Sequence, residues 1–156
     1  MSSAPAGTTV TVRLTLGLFV ANGFIALAGA AVVSLLRPRL AASGAFLAFG
    51  IVWGLFPLTG TTLYHPELAW LSRLHYLTQA TFPATFIHLG LVFPVERDVV
   101  RRHRALLALP YVVSAVIATW IFVAYYATPP SVRPLHAAYA YAALSMPVYL
   151  GLLAYT

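Results

Sequence analysis

The feature that most constrains this chain is the length of its uncharged apolar runs. No charged side chain falls between Leu14 and Leu36, and comparable runs recur to the end of the sequence. About 20 apolar residues in helical form cross the hydrocarbon core of a bilayer. The bilayer offers no water to backbone N–H and C=O groups, so a spanning segment must be a helix or part of a closed barrel. The runs lack the strict alternation of barrel strands. The pattern therefore predicts an all-α polytopic integral membrane helix bundle with about five transmembrane helices, over residues 14–36, 40–63, 70–93, 105–127 and 137–156. Residues 1–13 form an N-terminal tail, and 14–156 form the membrane domain. The third run carries Arg73, His75 and Gln79 near its start, so its lipid-embedded part is expected to begin near Tyr76.

Composition agrees with this reading. The chain is 61% hydrophobic and 8% charged, against about 25% charged in soluble domains. Ala28, Gly29 and Ala30 resemble a signal-peptidase site, but the apolar run continues to Leu36, longer than a signal-peptide core, so the first span is read as retained. The chain ends at Thr156 inside its fifth run with no polar tail, which leads us to expect a longer parent protein.

All nine basic residues are arginines and the net charge is +6. They lie in gaps between apolar runs, with no aromatic-interleaved basic tract, which points to topology and lipid headgroups and not to nucleic acid. Arg37 and Arg39 occupy the first loop, and Arg97, Arg101, Arg102 and Arg104 the third. Only Arg13, Arg73 and Arg133 lie on the other side. The positive-inside bias puts the six in the cytoplasm and the N-terminus outside. The third loop either serves orientation alone or also docks a cytoplasmic partner.

Zero cysteines exclude disulfides, thiolate metal sites and thiol nucleophiles. The only carboxylates, Glu67, Glu96 and Asp98, fall in loops, which argues against a proton pump or an intramembrane aspartyl protease. No phosphate-binding loop or nucleophile elbow occurs. The chain is read as non-catalytic, with no cofactor.

The third run holds the most interpretable polar pattern. Thr78, Thr81, Thr85 and His88 fall within about 80° of one helical face at 100° per residue. Such a seam faces other helices or a wet cavity. His88 is then either a hydrogen-bonded core histidine or a ligand- or proton-responsive group. His65, Glu67, His75 and His136 gather toward the opposite end as weak metal candidates, although their spacing matches no metal motif. His75 and His88 lie about 20 Å apart along one helix at 1.5 Å per residue, which disfavours a shared haem. Gly50 and Gly54 form a GxxxG element, either an intrachain contact or a homodimer seam. Asn22 is expected to hydrogen-bond across to a neighbouring helix. Pro57, Pro83, Pro110 and Pro147 fall within or at the start of runs two to five. Phe93 precedes Pro94, which disfavours helix at Phe93 and should stop the third helix there.

The stretch Phe86-Ile87-His88-Leu89-Gly90-Leu91-Val92-Phe93-Pro94 is followed by a charged linker with Arg101-Arg102-His103-Arg104, then by Leu106-Leu107-Ala108-Leu109-Pro110-Tyr111. It resembles an element of the polytopic N-terminal membrane regions, often of seven-helix type, that precede histidine kinases, nucleotide cyclases and phosphatase-type output domains in bacterial sensors. The resemblance covers about residues 76 to 113. It implies residence in the cytoplasmic membrane of a bacterium and detection of an extracytoplasmic or intramembrane signal. That signal would pass to a cytoplasmic output domain or partner through the last helix. The alternatives are a small transporter or permease-like subunit, and a membrane-embedded metal or haem protein.

Overall fold

The computed structural model describes residues 6–61, 70–126 and 133–155. Every element within them is helical: α1 (Ala6–Leu36), α2 (Ala41–Gly60), α3 (Ser72–Val92), α4 (Asp98–Arg102), α5 (Leu109–Tyr126) and α6 (Arg133–Ala154), with a 3-10 turn at Arg104–Leu107 before α5. Four stretches are long and apolar enough to cross a bilayer: Leu14–Leu36, Ala42–Gly60, Arg104–Ala124 and Arg133–Ala154. The third expected run, now α3, lies outside that set because Arg73, His75 and Gln79 lower its hydropathy. It is nevertheless a continuous helix of 21 residues. α1 begins at Ala6, so helix extends into the segment read from sequence as a tail.

Helix ends follow local chemistry. α1 stops at Leu36 because Pro38 disfavours helix at Arg37, and the turn into α2 is tied by the Ser43 hydroxyl donating to the Arg37 carbonyl. α3 stops at Val92, with Phe93 extended at φ −120° and ψ 142° ahead of Pro94, as proline requires of its predecessor. The Phe93–Pro94 peptide is cis. Pro110 is the second residue of α5, where a missing N–H costs nothing.

α3 is the centre of the bundle. It packs on α2, α5 and α6, whereas α1 packs principally on α2. Ala80, Ala84, Thr85 and Leu89 of α3 are all buried. Ala80 meets Ile117, Ala118 and Ile121 of α5 and Ala138 of α6. At the other end of α3, Leu89 and Val92 join Ala45 of α2 and Val100 of α4. Outward apolar side chains, such as Leu18 and Ile25 on α1, Val116 on α5 and Leu144 on α6, are exposed and form a surface suited to lipid tails.

The α1–α2 seam is built from glycine. A Cβ on Gly50 would lie 2.1 Å from the Ala30 Cβ, and one on Gly54 would lie 2.8 Å from the Gly23 carbonyl oxygen. Gly23 faces Gly54 in turn, 2.7 Å from its carbonyl oxygen. The GxxxG element is therefore filled by α1 of the same chain. Close backbone approach of this kind is how small residues hold membrane helices together. Gly50→Ala is expected to lower stability by about 1–3 kcal/mol through overpacking. Gly29→Ala, where a Cβ meets nothing within 4 Å, should stay within about 0.5 kcal/mol. Reversible unfolding in mixed micelles measures both.

Candidate functional site

The linings of one cavity come from α1, α2, α3 and α6. It has a volume of about 530 Å³ and is open on one side. Phe19 and Asn22 of α1 form one edge, and Tyr139 and Ala142 of α6 form another. Trp53, Phe56, Pro57 and Gly60 of α2 line it, as do His75, Gln79 and Phe82 of α3. α1 and α6, which both line it, do not pack extensively on each other.

Backbone chemistry explains why the helices part at this level. Pro57 and Pro83 lie inside α2 and α3. Each lacks an N–H and so removes the helical partner of the carbonyl four residues earlier. Those carbonyls belong to Trp53 and Gln79, both of which line the cavity.

His75 is fixed by α2. Its Nδ1 lies 3.1 Å from the Thr59 Oγ1 and 3.2 Å from the Phe56 carbonyl oxygen. Its ring stacks on Phe56 with centroids 4.8 Å apart. Gln79 is 6% exposed, and no described residue hydrogen-bonds its side-chain amide. Asn22 is exposed at the rim and has no side-chain partner among the described residues either. That differs from the expected cross-helix bond: α1 turns its glycine face, not Asn22, toward α2.

The threonine–histidine seam is placed differently. Thr78, Thr81 and Thr85 donate to the carbonyls of His75, Leu77 and Phe82 on their own helix, at 2.7–2.8 Å. These short-range bonds satisfy the hydroxyls without a partner helix, and none of the three lines the cavity. His88 lies toward the far end of α3, with its Nδ1 2.9 Å from the Tyr111 hydroxyl of α5 and its ring edge-on to that tyrosine. The seam thus divides into backbone-bonded threonines and one interhelical hydrogen bond. Of the weak metal candidates, His75 lies in the cavity wall and His136 is exposed near the start of α6. His65 and Glu67 lie outside the described residues. No group of three or more potential metal ligands converges among the described residues.

The third loop is folded, not a simple charged tether. Asp98 opens α4 while Arg101 and Arg102 close it, an order that suits the helix dipole. The Arg101–Asp98 ion pair, at 2.8 Å, is highly exposed on both sides and contributes little. Val100 does more, since it is fully buried against α2 and α3. Arg97 leaves the topology group and reaches α6: its guanidinium donates to the Leu152 carbonyl and lies 5.9 Å from the centre of the Tyr155 ring. A cation on the last carbonyls of a helix is favourable in itself. Arg37, Arg39, Arg101, Arg102 and Arg104 remain exposed at the same end of the bundle.

Ring contacts join the two ends. Phe56 meets Phe82 at 6.3 Å, Phe82 meets Phe86 at 4.8 Å, and Phe86 meets Tyr149 of α6 at 5.4 Å. Gly90 lets α6 come this near, because a Cβ there would lie 3.0 Å from Tyr149 and 3.2 Å from Leu152. The rings run from the cavity to the turn of α6 that Arg97 holds.

No protein-family model, curated protein or solved structure matches this chain. The resemblance of residues 76 to 113 to bacterial sensor regions rests on those residues alone.

The His88–Tyr111 pair is open to a double-mutant cycle. His88→Phe and Tyr111→Phe are each expected to cost about 1 kcal/mol. The double variant should cost little more than either single one, with unfolding free energies in mixed micelles as the readout.

Proposed function

We propose that this chain is a non-catalytic sensory module of a bacterial cytoplasmic membrane, with five spans and its N-terminus outside. In this reading α3 is the fifth spanning helix, tolerated in the bilayer because its polar side chains are sheltered by α2, α5 and α6. The arginines of the first and third loops then lie in the cytoplasm, and the cavity lies in the outer half of the bundle. The output is a cytoplasmic domain or partner that reads the inner end of α6.

The observation that carries the reading is the continuity between cavity and α6. A half-open cavity lined by Gln79, whose amide has no partner among the described residues, is connected through Phe56, Phe82 and Phe86 to Tyr149. Beyond it the Arg97 guanidinium grips the last turn of the same helix. Contiguous packed groups can transmit a change only if they have two arrangements and the signal favours one of them. Occupation of the cavity would have to shift Phe82 against Phe56, and with it the contact of Phe86 on Tyr149. His88 and the threonines keep a supporting part, holding α3 in register with α5 while its other face responds.

Two measurements test this. The chain has no native cysteine, so single cysteines report topology without background. Ser2→Cys should react with an impermeant maleimide in intact cells, and Arg102→Cys only after lysis; the reverse pattern overturns the orientation. For the signalling step, spin labels at Arg102→Cys and Gly151→Cys in nanodiscs report the distance from loop to α6. Ala142→Phe, which fills the cavity, is expected to shift the balance between two distance populations. Identical distributions with and without that substitution count against a sensory role.

A further inference from the structure

The cavity presents two chemically different sides. One is a series of nearly parallel rings: Phe56 lies 22° from His75, Phe82 lies 30° from Phe56, and Trp53 lies 31° from Phe82. All four line the cavity, so a further flat ring can join the series in offset stacking. The other side is polar. Gln79 lines the cavity, and its amide has no hydrogen-bond partner among the described residues, so it is free to bond to an occupant. At His75, the Phe56 carbonyl beside Nδ1 can only accept. The neutral ring therefore carries its hydrogen on Nδ1 and leaves Nε2 as an acceptor. Together these groups offer donors from Gln79 and an acceptor from His75 within one small site.

Charge and shape narrow the occupant further. Among the described residues no arginine or carboxylate lines the cavity, and a charged head would be desolvated against them without a counter-ion. Fatty acids and phospholipid headgroups are therefore poor fits. α1 and α6 both line the cavity without packing extensively on each other, so an apolar tail passing between them can stay in the bilayer while the head is inside. The volume of about 530 Å³ falls within the range of about 300–1,000 Å³ usual for small-molecule sites.

We infer that the cavity binds a quinone- or quinol-type molecule: an uncharged flat ring bearing oxygen atoms, with an apolar tail. The ring stacks on the wall formed by Trp53, Phe56 and Phe82. The Gln79 amide donates to a ring oxygen in either form, a ring hydroxyl donates to His75 Nε2 in the quinol, and the tail leaves between α1 and α6. This assignment rests on the reading of the cavity as the signal-receiving site, but binding is measured separately from signalling.

The chain has three tryptophans, so Trp70→Phe with Trp120→Phe leaves Trp53 as the reporter in the cavity wall. This protein in phosphatidylcholine nanodiscs is titrated with a benzoquinone carrying one isoprene unit, and quenching of Trp53 is followed. Saturation at one quinone per chain is expected, with affinity about tenfold weaker in Gln79→Leu and lost in Ala142→Phe. Asn22→Leu, at the exposed rim, is expected to weaken binding to a lesser degree and provides a second variant should Gln79→Leu not fold. Quenching that rises in proportion to quinone content without saturating overturns the assignment, as does equal saturation in all variants. Saturation that Ala142→Phe abolishes but Gln79→Leu and Asn22→Leu leave unchanged also overturns it, because the cavity then takes an apolar chain without reading a head. Saturable, Gln79-dependent binding with no change in the label distance between residues 102 and 151 upholds the ligand assignment and removes the sensory reading instead.

Discussion

The bundle is organised by one constraint: the polar side chains of α3 have no place in lipid. A hydroxyl, amide or imidazole facing acyl chains would lose its water and gain nothing. α3 carries three threonines, Gln79, His75 and His88 between its ends, and it is surrounded by the more apolar helices α2, α5 and α6. The usual association of hydropathy with burial is therefore inverted. The helix with the weakest membrane signal lies within. Small residues such as Ala80, Ala84 and Gly90 then let the neighbours close on it.

The two ends of α3 are finished differently. At the α2–α3 end, proline-loosened turns, a stacked histidine and an unpaired amide leave space. At the other end the helices are clamped: Val100 seats the loop on α2 and α3, Arg97 ties it to α6, and His88 ties α3 to α5. Polar groups that bond across helices hold them in place, as Arg97 and His88 do at this end.

The chain's helical nature and several helix ends were legible in the sequence because they depend on short-range rules. Apolar run length and Pro94 after Phe93 are cases of this kind. The close approach at Gly50 and Gly54 was legible as a motif, but its partner Gly23 was not, since Gly17 and Gly29 lie six residues away, outside the four-residue spacing of a packing motif. The threonine seam was a fair inference from angle alone, yet a helical wheel does not register that threonine can bond back to its own helix. The cavity was not legible at all. It requires four helices to present Asn22, Trp53, Gln79 and Tyr139 to one space, and nothing local links those residues. Gln79 had a visible signal of a sort: it was among the residues that made the third run look like a poor span. α4 escaped notice because five residues of helix are too few for any period to show.

The unsealed gap between α1 and α6 has a thermodynamic consequence. If the proposed opening between α1 and α6 faces lipid, acyl chains compete for it and the reference state of the cavity is lipid. A molecule entering it exchanges one hydrocarbon contact for another, and apolar surface contributes almost nothing to the difference, because lipid tails are as apolar as a leucine side chain. Lengthening a ligand's tail should therefore raise its concentration in the bilayer without raising its preference for the protein. Discrimination falls to the few groups that a lipid tail cannot satisfy, the side chains of Asn22, His75 and Gln79. A site of this kind ranks its ligands by their heads, against a background of bilayer lipid that competes at very high concentration.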